Sequence, residues 1–164
     1  MRLTAYTDYA LRTLMYLATN RDRLVTISEI ADVHGISKNH LMKVVHQLGR
    51  SGVVESIRGK GGGVRLARDP RDIRIGQLVR ASEGNSPLVE CLSPESNTCR
   101  LVPACRLMSI LIEAFDALYE SLDAYTLADL VTNPKVLRRA FSTPSKPSDG
   151  CSRLSNDRNA RHAK

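Results

Sequence analysis

The stretch from Thr26 to Leu66 constrains the fold most, because its caps and glycines cut it into pieces of fixed length. Thr26-Ile27-Ser28-Glu29 has the form of a capping box, in which a hydroxyl and a carboxylate satisfy free amides at a helix start. Ile27, Ile30, Ala31 and Val33 supply that helix with an apolar face. Gly35 ends it, since glycine adopts the left-handed conformation a helix terminus favours. Two residues on, Ser37 is placed to cap a second helix whose Leu41, Val44, Val45 and Leu48 recur at i, i+3, i+4 and i+7. Its other face carries Lys38, Asn39, His40, Lys43 and His46. A helix, a tight glycine turn and a second helix with exposed donors predict a helix-turn-helix, although a plain helical hairpin with a solvated face has the same pattern.

The residues after this second helix separate the two. Gly49-Arg50-Ser51-Gly52 ends the helix, and Val53–Ile57 and Val64–Leu66 are short strand candidates. They are joined by Arg58-Gly59-Lys60-Gly61-Gly62-Gly63, a basic hairpin that can approach another backbone closely. The loop lacks the Gly-Lys-Ser/Thr ending of a nucleotide-cradling loop, and no long helix comes directly after it. Together the pieces make a winged helix. Asn39 and His40, beside the cap Ser37, are the candidates to meet base edges in double-stranded DNA. Lys38, Lys43 and the wing residues Arg58, Lys60, Gly61, Gly62 and Arg65 are placed for the phosphate backbone. An earlier helix is expected over Thr7–Thr19, with Thr4, Thr7 or Asp8 at its start.

Charge supports this division. The net charge of +7 is unevenly spread: residues 1–75 hold 13 Lys/Arg against 7 Asp/Glu, residues 76–134 hold 3 against 8, and residues 135–164 hold 8 against 2. A basic front beside an acidic middle suggests a polyanion-binding unit joined to one that avoids the polyanion. No apolar run approaches the roughly 20 residues needed to cross a bilayer, and MRLTAYTDYALRTL has no signal-peptide core. A cytoplasmic, nucleoid-associated protein is expected, in surroundings that keep thiols reduced.

That matters for Cys91, Cys99 and Cys105, spaced C-x7-C-x5-C in a polar, proline-marked loop. Thiolates gathered this closely read as soft-metal ligands, for an iron–sulfur cluster or zinc, before they read as disulfide partners. Such centres normally take four ligands, so a fourth must come from elsewhere in the chain, a partner chain or a small molecule. From Arg106 to about Ala124 a long helix is expected, its stripe of Leu107, Leu111, Ala114, Leu118 and Leu122 widened by Ile110, Phe115 and Tyr119. So broad a stripe reads as a homodimer interface, and a two-fold dimer matches a palindromic operator. Thr126-Leu127-Ala128-Asp129 caps a last short helix ending before Pro134. The composition after Phe141 reads as a disordered basic tail, with Cys151 a free thiol.

The fold class is therefore mainly α with a small β-hairpin wing: a winged helix-turn-helix plus a long dimerisation helix. The expected divisions are a DNA-binding domain over 1–83, a cysteine loop over 84–105, dimerisation and short helices over 106–134, and a tail over 135–164. Nothing resembles a substrate pocket, so no enzyme is expected.

LTAYTDYALRTLMYLA, TISEIADVHGISKNHLMKVVHQL, RGKGGGVRLA and the three-cysteine loop, in that order over about residues 1–134, resemble the iron–sulfur winged-helix repressors of the NsrR, IscR and RirA type. Within that family, ISKNHLMKV, VPACRL and LDAYTLADLV are most similar to the nitric-oxide-sensitive repressors. The resemblance implies a homodimer whose iron–sulfur cluster, 4Fe–4S in the first instance and 2Fe–2S as the alternative, is held by Cys91, Cys99 and Cys105. It also implies a carboxylate from the other protomer, at the position of Asp8, and nitric oxide as the signal. The seven-residue gap between Cys91 and Cys99 departs from some nitric-oxide sensors and equals the spacing of the iron-responsive type. Iron supply is thus one alternative signal, and a zinc or thiol redox sensor on the same cysteines is another.

Overall fold

The computed structural model describes residues 3–83, 89, 97–101 and 104–142; Cys91 and Cys151 lie outside them. The elements are α1 (Ala5–Thr19), α2 (Ile27–His34), α3 (Lys38–Arg50), β1 (Val54–Ile57), β2 (Gly63–Leu66), a 3-10 turn (Pro70–Asp72), α4 (Ile75–Glu83), α5 (Arg106–Asp123), α6 (Leu127–Leu130) and α7 (Pro134–Ser142). Each of the first three helices starts on a side-chain oxygen: Thr4 accepts from the Thr7 amide, Thr26 from Glu29 and Ser37 from His40. Gly35 closes α2 at φ 62°, so the turn into α3 is as tight as its position in the chain requires.

The core forms where α1 crosses the helix-turn-helix. Ala10, Leu14 and Leu17 of α1 are buried with Ile30 of α2 and with Leu41, Val44, Val45 and Leu48, the full apolar stripe of α3. A fully buried leucine of this kind contributes about 1.5–3 kcal/mol. The wing is an antiparallel pair with Val54 opposite Leu66 and Ile57 opposite Gly63. It is tied to the body where Val25 and Val64 exchange backbone hydrogen bonds at 3.0 and 2.7 Å.

The acidic half is fastened by backbone more than by charge. Leu127 N–H donates to the Ile73 carbonyl at 2.9 Å and Ile75 N–H to the Tyr125 carbonyl at 3.0 Å, so the entry to α4 pairs with the α5–α6 link. Asp123 accepts from the Gln77 amide at 2.7 Å. Gly76 lets α4 and α5 touch: a methyl there would overlap the Tyr119 carbonyl and the Asp123 carboxylate. The amino-terminal half of α5 is left uncovered, with Leu107 58%, Ile110 53% and Ile112 43% exposed.

Two sequence expectations change. Glu29 does not close a capping box; its carboxylate accepts from Tyr16 Oη at 2.7 Å and pairs with Arg23, which outcompetes the backbone amide. Residues 135–142 are not tail. Asn133 Oδ1 accepts from the Val136 amide, Pro134 stands at the first helical position, and α7 packs on α1 and α2. Phe141 meets Tyr16 and His34 edge-on, with centroids at 5.0 and 5.4 Å, and Arg138 Nε donates to the Thr19 carbonyl at 2.8 Å. These contacts give an otherwise polar segment a reason to fold.

Gly76→Ala is expected to lower stability by about 1–3 kcal/mol through overpacking at the α4–α5 approach, measured by urea unfolding. A change under half a kilocalorie per mole would mean that the two helices part without cost.

Candidate nucleic-acid interface and cysteine centre

The sequence-predicted DNA contacts divide into two clusters on one face. Lys38, Asn39, His40 and Lys43 are exposed on α3, as is His46, while the opposite face of the helix is buried. Lys38 shares an open groove of about 290 Å³ with Thr26, Ile27 and Ser28 at the start of α2 and with Ser56, Ile57 and Gly62 of the wing. Recognition helix, helix amino end and wing therefore border a single groove, with a lysine and a helix amino end of the kind that attract anions on its walls. Gly62 is needed at the tip, since a Cβ there would run into the Ile57 carbonyl. Arg58, Lys60 and Gly61 are exposed beside it. Arg65 is paired with Glu55 directly opposite, so its charge is already partly answered. Ser37 spends its hydroxyl oxygen on the cap.

Sequence reasoning missed two neighbours. Met42, 51% exposed between His40 and Lys43, offers an apolar contact of the kind thymine methyl groups receive. Its departure from the buried stripe was the available signal. Tyr9 of α1 stacks on His40 with centroids 6.3 Å apart and planes at 28°.

Cys99 and Cys105 are free, half-buried thiols. Cys105 stands at the N-cap position of α5 and makes no side-chain cap hydrogen bond, so its sulfur is not used in starting the helix. A negatively charged centre at that end is favoured by the helix dipole. The Cys99 amide donates to Asn97 Oδ1 at 3.0 Å. Soft sulfur donors, unbridged and one of them at a helix amino end, suit an iron–sulfur cluster or zinc. Among the described residues no three metal-ligating side chains come together, and Asp8 is not grouped with Cys99 and Cys105 within one chain.

Asp8 instead lies half-exposed on the outer face of α1, lining an open cavity of about 760 Å³ with Leu3, Thr4, Ala5, Tyr9, Leu11 and Arg12. Its carboxylate is held by Arg12 at 2.9 Å. Below it, the start of α1 is bound to the end of α4. Glu83 Oε1 accepts from the Thr4 amide at 2.8 Å, from the Thr4 hydroxyl at 2.9 Å and from the hydroxyl of the fully buried Thr7. Burial raises the Glu83 carboxyl, but the Thr7 and Thr4 donors together outweigh it and hold the group below the ordinary carboxylate range. Glu83 is the last residue of α4, so this knot joins the helix bearing Asp8 to the end of α4.

Helix-turn-helix, basic wing and shared groove define a winged-helix DNA-binding protein. A family model described as Rrf2, iron-dependent transcriptional regulator, matches residues 3–133, and the chain belongs to that family of transcriptional regulators. A relative from Shouchella clausii named HTH-type transcriptional regulator NsrR is 50% identical over 139 residues, 84% of this chain and 93% of the relative. One of the same name from Bacillus subtilis is 52% identical over 134 residues, 81% and 92% of the two chains. Among solved structures the chain is similar to T. potens IscR, with TM-score 0.64, 27% identity, and 80% and 87% of the chains covered. The described residues contain no helix long and apolar enough to cross a membrane.

Lys43→Ala should weaken binding about equally on all DNA sequences and reduce the salt slope by roughly 1 per protomer. Asn39→Ala should instead relax preference at particular base pairs; the reverse pattern in salt-dependent titrations would exchange the two roles. For Glu83, a depressed folded-state value means stability that is complete above the unfolded value of roughly 4.3 and is lost as pH falls through the folded one. Glu83→Gln should therefore be less stable than wild type at neutral pH, and the gap should close in acid. A gap independent of pH in urea unfolding would deny the carboxylate that role.

Proposed function

We propose that this protein is a homodimeric transcriptional repressor whose hold on a palindromic operator is set by an iron–sulfur cluster and released by nitric oxide. The observation that carries the proposal is the pair of free thiols, Cys99 and Cys105, the second at the α5 amino end, in a chain whose residues 3–83 fold as a winged helix. The name of the 50%-identical relatives supports it, as does the iron-dependent description of the family. Cys91, Cys99 and Cys105 would hold the cluster, 4Fe–4S in preference to 2Fe–2S, with Asp8 of the other protomer as the oxygen ligand. When bound, such a cluster supplies iron that accepts nitric oxide in competition with protein ligands, an oxygen ligand being the weaker competitor.

The chain's own residues supply the rest. Asp8 has two alternatives, the metal or Arg12, and the second is the pairing seen here. Residues 1–83 read DNA: Asn39 and His40 take base edges, and Lys38, Lys43, Arg58 and Lys60 take phosphates. The uncovered face of α5 within 106–134 forms the two-fold interface that sets half-site spacing. Residues 84–105 carry the metal. The basic segment from 143 onward adds salt-sensitive, sequence-independent attraction.

The C-x7-C spacing favours a second reading, an iron-supply sensor on the same scaffold. One experiment separates them, on anaerobically purified full-length protein. Cluster absorbance and binding to a duplex selected by the protein are followed together through a nitric oxide titration and, separately, through iron chelation. Concerted loss of both signals with nitric oxide is expected, and Cys105→Ser should lack the absorbance from the start. DNA release on chelation alone, with nitric oxide without effect, would replace the nitric oxide assignment by iron sensing.

A further inference from the structure

Tyr9 lines the outer cavity of α1 with Asp8 and Arg12, and it also stacks on His40 in the first turn of the recognition helix. It is half-buried and packed against the core, so its ring is fixed from behind. His40 is exposed, and its backbone amide donates to the Ser37 hydroxyl oxygen. An imidazole in solvent samples several rotamers, and a ring against one face removes part of that freedom before DNA arrives. Whatever enters the cavity to reach Asp8 also meets Tyr9.

We propose that Tyr9 is a positioning residue for His40, linking the cavity that Asp8 and Arg12 line to the base-reading end of α3. This deepens the function proposed above and rests on it for the identity of what fills the cavity. The link is a direct side-chain contact between α1 and α3. It lets the state of the cavity alter base recognition without displacing the whole recognition helix.

The test uses cluster-loaded, full-length dimers of wild type, Tyr9→Phe, Tyr9→Leu, His40→Ala and the Tyr9→Leu/His40→Ala double variant. Affinity is measured for a duplex selected by the wild type and for its single-base-pair variants, with cluster absorbance and thermal midpoint as controls. Tyr9→Phe keeps the ring and should bind with wild-type preferences. Tyr9→Leu should keep the absorbance and bind about three- to tenfold more weakly. Its lost discrimination should fall on the same base pairs as that of His40→Ala, with no further loss in the double variant. It should also narrow the affinity ratio between cluster-loaded and nitric oxide-treated protein.

Additive losses, a loss spread evenly over all base pairs, an unchanged affinity ratio or full discrimination in His40→Ala would each overturn the proposal. Should Tyr9→Leu fold poorly, base preferences in Tyr9→Phe that differ from wild type would also count against it, since the hydroxyl plays no part in the stack. A wild type that ignores nitric oxide yet shows the non-additivity would defeat the function reading and leave the positioning of His40 standing.

Discussion

The buried face of α1 is the constraint on which the other elements depend. Ala10, Leu14, Leu17 and Ala18 are covered, and the hydroxyls of Thr7, Thr13 and Thr19 are buried beside them with hydrogen bonds made locally or to Glu83. The helix touches the recognition helix, the second wing strand, α4, α6 and α7. Cores packed to crystal-like density do not deform continuously, so a rod held on these sides moves with its neighbours or not at all. Asp8 and Arg12 lie on its remaining face, at the open cavity. A chemical event there acts on the element that the winged helix is built around.

Charge gives the chain its polarity but little of its cohesion. The Arg80–Asp116 pair is 3.1 Å long with both side chains about half exposed, and such a pair contributes at most about 1 kcal/mol. Arg80 also lies over the Tyr119 ring at 4.4 Å. The main-chain pairing of Ile73 and Ile75 with Leu127 and Tyr125, and the contact allowed by Gly76, are shielded from salt and set the angle of α5. The acidic residues of α5 give that half of the molecule a charge opposite to that of the basic winged helix.

The helix-turn-helix and wing were legible because local signals agreed at every step: a cap, a 3.6-residue stripe, a glycine at positive φ, then two short β-branched runs around a glycine tip. The knot at Glu83 was not legible, since it joins residues 76 or more apart by hydrogen bonds that leave no periodic trace. The Tyr9–His40 stack was hidden too, because it is a ring contact between two helices that only the fold brings together. Glu29 misled because its spacing from Thr26 fits a capping box equally well, and only the fold brings Tyr16 and Arg23 to its carboxylate. For α7 the signal was present in Asn133-Pro134, a cap followed by a first-turn proline, but the serines and prolines downstream obscured it. Of the candidate centre, the spacing of Cys99 and Cys105 pointed to a shared role, while Asp8 belongs to no intrachain ligand group among the described residues.

Magnitudes decide where the switching energy resides. The Asp8–Arg12 pair is an i,i+4 surface pair with side chains 45% and 49% exposed, in the favourable acid-before-base order. Such pairs contribute about 0.3–0.5 kcal/mol. A hundredfold change in DNA affinity corresponds to about 2.7 kcal/mol, the usual scale of coupling between sites. Breaking or forming the Arg12 pair is therefore too small an effect to account for a change of that size. In the dimer proposed above, the larger share would come from joining two protomers through a common centre, which would fix the spacing of the two recognition helices. Under that proposal Arg12 would keep the Asp8 carboxylate compensated whenever it does not serve as a ligand.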